Sequence, residues 1–405
     1  MVIIGAWQGH SVHISLKSNC LTLSFEAEGQ AEVYSYDFCG RLWTALVSGI
    51  SYRRGLDGKV VAKWGSGWEA RERRWLEPQE TWSLQEHARS RAANLLAAIQ
   101  AGAAQLDQPL SSQGRLAFEH ILSFGSEAYQ ADVDRYHQVY RPVGILPPDQ
   151  YMAVVLQATE GCAFNSCTFC TFYKDRPFRI KKLDEFHAHA EAVRDFIGEG
   201  ISLRRTLFLG DANALVIPMR RLLPLVEVAH QVFDVDALGG IYAFLDGFSG
   251  EKKSPQDYTS LARLGFQRIY IGLESGNPEL LRFLRKPGNP QSAVRAVRAM
   301  KTGGIPVGVI VLLGAGGQTY HKQHVRDTIR VLNEMQLDMH DLIYFSELIT
   351  EEGTPYTRDA YAAHLQPISS EERIAQGEAI ERGLRFSRRG GTPHISRYDI
   401  REFVY

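Results

Sequence analysis

Apolar residues recur along this chain at two different spacings, and the change between them divides it. From residue 2 to about 65 they fall two apart, as in His13-Ile-Ser-Leu16, Leu21-Thr-Leu-Ser-Phe25 and Val33-Tyr-Ser-Tyr-Asp-Phe38. Period two marks strands with one buried face, and Gly29, Gly40, Gly49 and Leu56-Asp-Gly58 supply turns. The stretch predicts a small antiparallel meander in which Cys20 and Cys39 are ordinary half-buried thiols. From Glu69 to Gln105 the residues are helix formers, interrupted at Pro78, and Gln113 to Tyr140 predicts more helix. Trp64, Trp68, Trp75 and Trp82 read as packing residues, with a nucleic-acid stacking platform as the other reading. The proline-rich stretch Tyr140 to Asp149 is a linker.

Beyond it the pattern changes to continuous apolar runs, each followed by a helical period. The runs are Tyr151-Met-Ala-Val-Val-Leu156, Arg205 to Gly210, Gly240 to Leu245, Arg268 to Gly272, Pro306 to Leu313 and Leu342 to Phe345, with a helix over Leu183 to Ile197 after the first. Unbroken apolar strands alternating with helices predict an α/β core of parallel strands covered on their faces. In such sheets the chemistry sits at the carboxyl ends of the strands. Ile368 to Phe386 predicts a helix opened by Ser369 and Ser370, with Glu371 and Glu372 in its first turn. The basic run Arg385 to Arg389 reads as a solvated tail, or as a contact for an anionic substrate, and Phe403-Val-Tyr405 as a tail that docks. The expected organisation is a β-rich region over 1–68, a helical region over 69–140, the α/β core over 150–355 and a C-terminal helical extension over 356–405.

Three of the five cysteines, Cys162, Cys167 and Cys170, fall in the loop after the first core strand. Three thiolates this close can hold one soft metal centre, and on a four-iron cube they leave one iron free. A structural zinc wants four ligands, and no local His or Cys completes such a set. A disulfide fits poorly with an odd local count and no secretory signal.

The spacing C-x4-C-x2-C, with Cys167-Thr-Phe-Cys170 as its second half, resembles the cluster loop of radical S-adenosylmethionine (SAM) enzymes, whose usual first gap is one residue shorter. The resemblance covers about half the chain. It implies a partial (βα)6 TIM-like barrel, a [4Fe-4S] cluster on Cys162, Cys167 and Cys170, with Phe169 beside them, and SAM as the second cofactor. It places SAM's amino group against Gly210-Asp211-Ala212-Asn213, where the relatives carry a Gly-Gly-Glu-like segment; Asn213 or Asp211 as a helix N-cap is the plainer reading. It sets Glu274 and Ser275 at the ribose, Lys286, with Arg285 as the alternative, at the SAM carboxylate, and the Gly314 loop against adenine. It further implies an external electron donor of the flavodoxin or ferredoxin type.

Composition narrows the picture further. A net charge of -1 gives no global field for nucleic acid or an anionic membrane. No apolar run approaches a membrane span and the start of the chain lacks a signal-like region, so a cytoplasmic location is expected. Once three cysteines are committed, Cys20 and Cys39 cannot hold a second cube, which disfavours sulfur-inserting enzymes. No cobalamin-type D-x-H-x-x-G occurs, and the loop at Gly314 is no P-loop. The substrate is expected to be a small molecule, with a peptide or RNA held by the N-terminal region as the alternative, and a non-catalytic metal protein as the reading from another class. Asp246, Glu347, His321 and His324 follow core strands and are candidates for substrate contact.

Overall fold

The computed structural model describes residues 1–65, 72–246, 252–350, 352–387 and 390–405. Trp68, Glu69, Glu351 and the Arg388-Arg389 end of the basic run lie outside the described residues. The chain forms two compact units. Residues 1–143, 191–205 and 401–405 make the first, and residues 144–190 and 206–400 the second.

The first unit is built on a nine-stranded antiparallel sheet. Its strands are β1 (Val2–Trp7), β2 (His10–Leu16), β3 (Leu21–Ala27), β4 (Gln30–Tyr36), β5 (Leu42–Val47), β6 (Ile50–Arg54), β7 (Val60–Trp64) and β8 (Glu72–Trp75). After helix α1 (Pro78–Gln100), a two-residue β9 (Gln105–Leu106) returns to pair with β1, and the sheet runs β8-β7-β6-β5-β4-β3-β2-β1-β9. Period two has the expected result. Val12, Ile14, Leu21, Leu23 and Phe25 turn to one face and pack against Ala88, Ala92 and Leu95 of α1. Phe118 and Ile121 of α2 (Ser112–Ser123) join the same core. Each fully buried Leu or Phe there contributes about 1.5–3 kcal/mol.

Two readings need correction here. The helix expected from Glu69 begins only at Pro78, because a proline has no N–H to give and suits the first helical position; Glu72–Trp75 before it is an edge strand. Trp75 and Trp82 are not packed, being 43% and 46% exposed. The second helical stretch breaks at Phe124-Gly125 into α2 and α3 (Ser126–Val139). The docking of the tail is as expected: Tyr405 is buried, its hydroxyl is 3.2 Å from that of Tyr140, and its carbonyl accepts from the Asp57 N–H.

The second unit carries β10 (Ala153–Gln157), then the ribbon β11 (Thr159–Glu160) and β12 (Arg179–Ile180), and the start of α4 (Leu183–Ile197). There follow β13 (Thr206–Gly210), α5 (Met219–Val232), β14 (Ile241–Phe244), α6 (Pro255–Arg263) and β15 (Phe266–Glu274). Helices α7 (Pro278–Phe283) and α8 (Pro290–Thr302) lead to β16 (Val307–Leu313), α9 (Gly317–Met335) and β17 (Leu342–Glu347). Helices α10 (Pro355–Ala362) and α11 (Ser370–Gly383) precede a last strand, β18 (His394–Tyr398). Seven strands pair in parallel in the order β10-β13-β14-β15-β16-β17-β18, a partial TIM-like barrel. The six expected strands are all present. The seventh comes from the segment read as helical extension, whose helices α10 and α11 also form, the latter with the capping box on Ser369 and Glu372.

Low in this sheet, inward residues form a polar and aromatic floor. Asp149 accepts from the hydroxyls of Tyr270 and of Tyr344, the latter at 2.9 Å, and lies 3.4 Å from Arg268. The rings of Phe208, Phe244 and Tyr242 gather around Tyr270. Gly308 is required beside it, since a Cβ there would overlap the Tyr270 ring.

Candidate active site

The cysteine loop leaves β10 and is closed by the β11–β12 ribbon. Thr159 pairs with Ile180 and Glu160 with Arg179. Glu160 binds Arg179 Nε and Lys181 Nζ, each at 2.8 Å, and the hydrogen bond from Arg179 draws its carboxyl down to about 2. Gly161 takes φ +74, and a Cβ there would press on the Pro177 carbonyl at 3.0 Å. Inside the clasp, Asn165 N–H donates to Cys162 Sγ at 3.4 Å, and Asn165 Nδ2 to the Tyr173 carbonyl at 2.8 Å. Thr168 N–H donates to the Leu284 carbonyl, and its own carbonyl accepts from Tyr356 N–H, which anchors the loop to α7 and α10. Phe169 packs partly buried on the small core of Leu280, Leu284, Leu312 and Tyr356.

Cys162, Cys167 and Cys170 are free thiols of intermediate exposure. Burial pushes Cys167 up to about 11, against the pull of the Lys286 ammonium, and the other two sulfurs and Glu274 act on it as well. Burial also raises Cys170, which again feels Cys162 and Lys286. Cys167 and Cys170 therefore share one electrostatic neighbourhood with Lys286, and each feels Cys162. Among the described residues, no three His, Cys, Asp or Glu side chains are gathered so as to hold a single metal ion. A donor set of three soft thiols beside one ammonium fits a thiolate-bound iron–sulfur cluster, whose net negative charge the ammonium offsets.

Glu274 ends β15 with φ +59, just past a register shift between Gly272 and Glu274. That twist brings its carboxylate to Lys286 Nζ at 3.1 Å. Burial opposes the Lys286 ammonium, but Glu274, with Cys167 and Asp246, holds it above the ordinary lysine range. Gly272 makes room, since a Cβ there would overlap the Glu274 carboxylate and stand 2.9 Å from Lys286 Nζ. Of the two basic residues considered for this place, Lys286 is inside, whereas Arg285 is an exposed residue 2.8 Å from Asp359. Asp246, after β14, accepts from Asn213 Nδ2. Glu274, Lys286, Asp246 and Asn213 thus gather at the carboxyl ends of β13, β14 and β15, with the Cys167 sulfur acting on Lys286.

Other expected residues are turned elsewhere. Asp211, beside buried Gly210 and half-buried Ala212, accepts from Gln157 Nε2 at 3.0 Å and the Gly161 N–H at 3.1 Å, and burial pushes it up to about 6. Its side chain ties the cysteine loop to β13. Neither Asp211 nor Asn213 serves as a side-chain N-cap; the short turn at 214–216 has none. Ser275 is fully buried, its hydroxyl 2.7 Å from His324 Nδ1 and accepting from Asn277 N–H. Burial holds His324 down to about 4, as a neutral core residue. Gly314, at φ +83, donates its N–H to Gln376 of α11. Glu347 pairs with Arg373 at 3.0 Å, and His321 Nδ1 lies 3.1 Å from Gln376 Nε2. Tyr398 on β18, the register partner of Ser346 on β17, was missed. Its strand, His394-Ile-Ser-Arg-Tyr398, lacks the apolar run that marked the other six.

Residues 156–332 match the family model described as Radical SAM superfamily. No curated protein matches the chain. Among solved structures, the cobalamin-dependent S-adenosylmethionine radical enzyme OxsB is 14% identical, with 64% of this chain and 33% of that one covered and a TM-score of 0.39. Methylornithine synthase (PylB) is 16% identical over 57% of this chain and 63% of its own, at a TM-score of 0.39. Coproporphyrinogen III oxidase (HemN) from Escherichia coli is 14% identical over 64% and 55%, at 0.42. The chain spans between one third and just under two thirds of the length of these structures.

Proposed function

From the match of residues 156–332 to the radical SAM superfamily model, we propose that the chain is a radical SAM enzyme that cleaves SAM reductively on a [4Fe-4S] cluster held by Cys162, Cys167 and Cys170. What supports the reading is the three-cysteine loop together with the Lys286–Glu274 pair, whose ammonium acts on Cys167 and Cys170. When bound, the cluster would supply one electron for the reductive cleavage of SAM, the source of methionine and of a 5′-deoxyadenosyl radical able to take a hydrogen atom from substrate.

The chain's own residues position and exclude. Lys286 meets the SAM carboxylate and Glu274 accepts from the ribose hydroxyls. The backbone of Gly210-Asp211-Ala212-Asn213 faces the amino group, with the Asp211 carboxylate fixing the cysteine loop beside it. Phe169 shields the cluster edge, and the Gly314 loop lies toward adenine. Ser275, closed in with His324, holds the turn that aims Glu274. The aromatic floor around Tyr270 keeps water from entering from below. The substrate is a small molecule, and the electron comes from a flavodoxin- or ferredoxin-type donor.

A macromolecular substrate is the second reading. It is favoured by β8, the terminal strand of its sheet, where Trp75 stands exposed near Trp82 in sequence. Retention of an RNA or peptide library member by wild type, lost in Trp75→Ala, decides for it. The main test is anaerobic reconstitution with iron and sulfide, followed by SAM and dithionite. Wild type is expected to turn brown and release 5′-deoxyadenosine, and Cys167→Ala to do neither. A colourless, zinc-bearing wild type that leaves SAM intact overturns the proposal.

A further inference from the structure

The seventh strand brings a phenol to the level of the site. β18 sets Tyr398 opposite Ser346 of β17, β17 sets Ser346 opposite Leu312 of β16, and β15 sets Glu274 opposite Val311. Glu274, Ser346 and Tyr398 therefore lie within one residue of the same height across four strands. Side chains two apart share a face. Ser346 is two beyond Tyr344, whose hydroxyl reaches inward to Asp149. The Tyr398 ring stands edge-on to that of Tyr344, with centroids 5.6 Å apart. Burial raises its phenol, Ser346 opposes that rise and the Glu274 charge adds to it. Ser346 and Glu274 are buried, while Tyr398 keeps part of its surface open. On the function proposed above, Glu274 takes the ribose, so an exchangeable O–H stands beside the sugar that carries C5′.

Resting on that function, we propose that Tyr398 is a catalytic residue that gives its phenolic hydrogen atom to the 5′-deoxyadenosyl radical when the barrel holds no substrate. The O–H bond of Tyr398 breaks and a C5′–H bond forms. The products are 5′-deoxyadenosine and a neutral phenoxyl radical. One further electron from the flavodoxin- or ferredoxin-type donor, with a proton from water, restores the phenol. A phenol O–H bond is weaker than the C–H bond of a primary carbon, so the transfer runs downhill. The radical then ends on a ring that can be repaired, instead of on a backbone carbon.

The test uses the full chain loaded with iron and sulfide, given SAM and dithionite in D2O without substrate. Phenolic hydrogen exchanges with solvent and carbon-bound hydrogen does not. Most 5′-deoxyadenosine from wild type is expected to carry one deuterium. Tyr398→Phe, which keeps the ring against Tyr344, is expected to give mostly unlabelled product, and Tyr344→Phe to keep the label. Freeze-quenched wild type is expected to show an organic radical signal that narrows when tyrosine is ring-deuterated, a readout that needs no variant. Unlabelled product from wild type, equal labelling in Tyr398→Phe, or a signal unchanged by ring deuteration overturns the assignment. Absence of any 5′-deoxyadenosine from wild type overturns the proposed function beneath it.

Discussion

Lys286 and Glu274 are each sheltered from water and each answer the other's charge. Removing one partner of a buried pair strands the other, at about 3–5 kcal/mol, whereas removing both costs far less. Lys286→Met and Glu274→Leu are each expected to lower the unfolding free energy of the metal-free protein by about that amount, and the double variant by clearly less than the sum. Denaturant titration of the four proteins checks this. His324 and Asp211 offer a second handle at this scale. Burial holds His324 at about 4 against an ordinary 6.5. Between those values the unfolded chain takes a proton that the folded chain refuses, so its stabilisation is complete above pH 6.5 and fades as the pH falls to 4. Asp211 runs the other way: burial raises it from 3.8 to about 6, so the folded chain gains stability as the pH falls through that window. Each effect amounts to about 3 kcal/mol. Wild type and His324→Gln are expected to diverge in the direction of His324 between pH 6.5 and 4, and wild type and Asp211→Asn in the opposite sense, as read by unfolding at a series of pH values.

At the scale of elements, the clasp around the cysteines depends on one carboxylate. Glu160 holds Arg179 and Lys181 together, and burial already pulls the Lys181 ammonium below its ordinary value. Glu160→Ala leaves that ammonium buried without its carboxylate, at about 1–3 kcal/mol. The β11–β12 ribbon is expected to open more often, so a chelator should strip iron from the reconstituted variant several-fold faster than from wild type, with the far-ultraviolet spectrum unchanged. The sequence made some elements plain and hid others, for physical reasons. Strands covered on both faces must be apolar throughout, which is why the runs at 153–157 and 307–313 could be read directly. β18 and β8 sit at sheet ends and are mostly polar, so no apolar run betrays them. The cysteine loop was legible because its donors are close in sequence. The nearness of Asp246 and Tyr398 to Lys286 and Glu274 was not, because each comes from a different strand and only the sheet order brings them together.

For the molecule as a whole, the division of the chain into units does not follow its order. The first unit takes residues 191–205 and 401–405 in addition to 1–143. Buried Arg41 donates to the carbonyls of Phe196 and Ile197, besides binding Asp37 and Asp132. Tyr140 packs on Phe196 and on Tyr405. A fragment ending at residue 143 therefore keeps a buried guanidinium without two of its acceptors and an aromatic core without two of its rings. Such a fragment is expected to show no cooperative thermal transition, whereas the full chain does; calorimetry of the two checks it. The same arrangement bears on synthesis. A ribosome makes the antiparallel sheet before residues 191–205 and 401–405, which complete its core. The sheet must wait, partly open, until those later segments emerge, and it is during that interval that chaperones have most to protect.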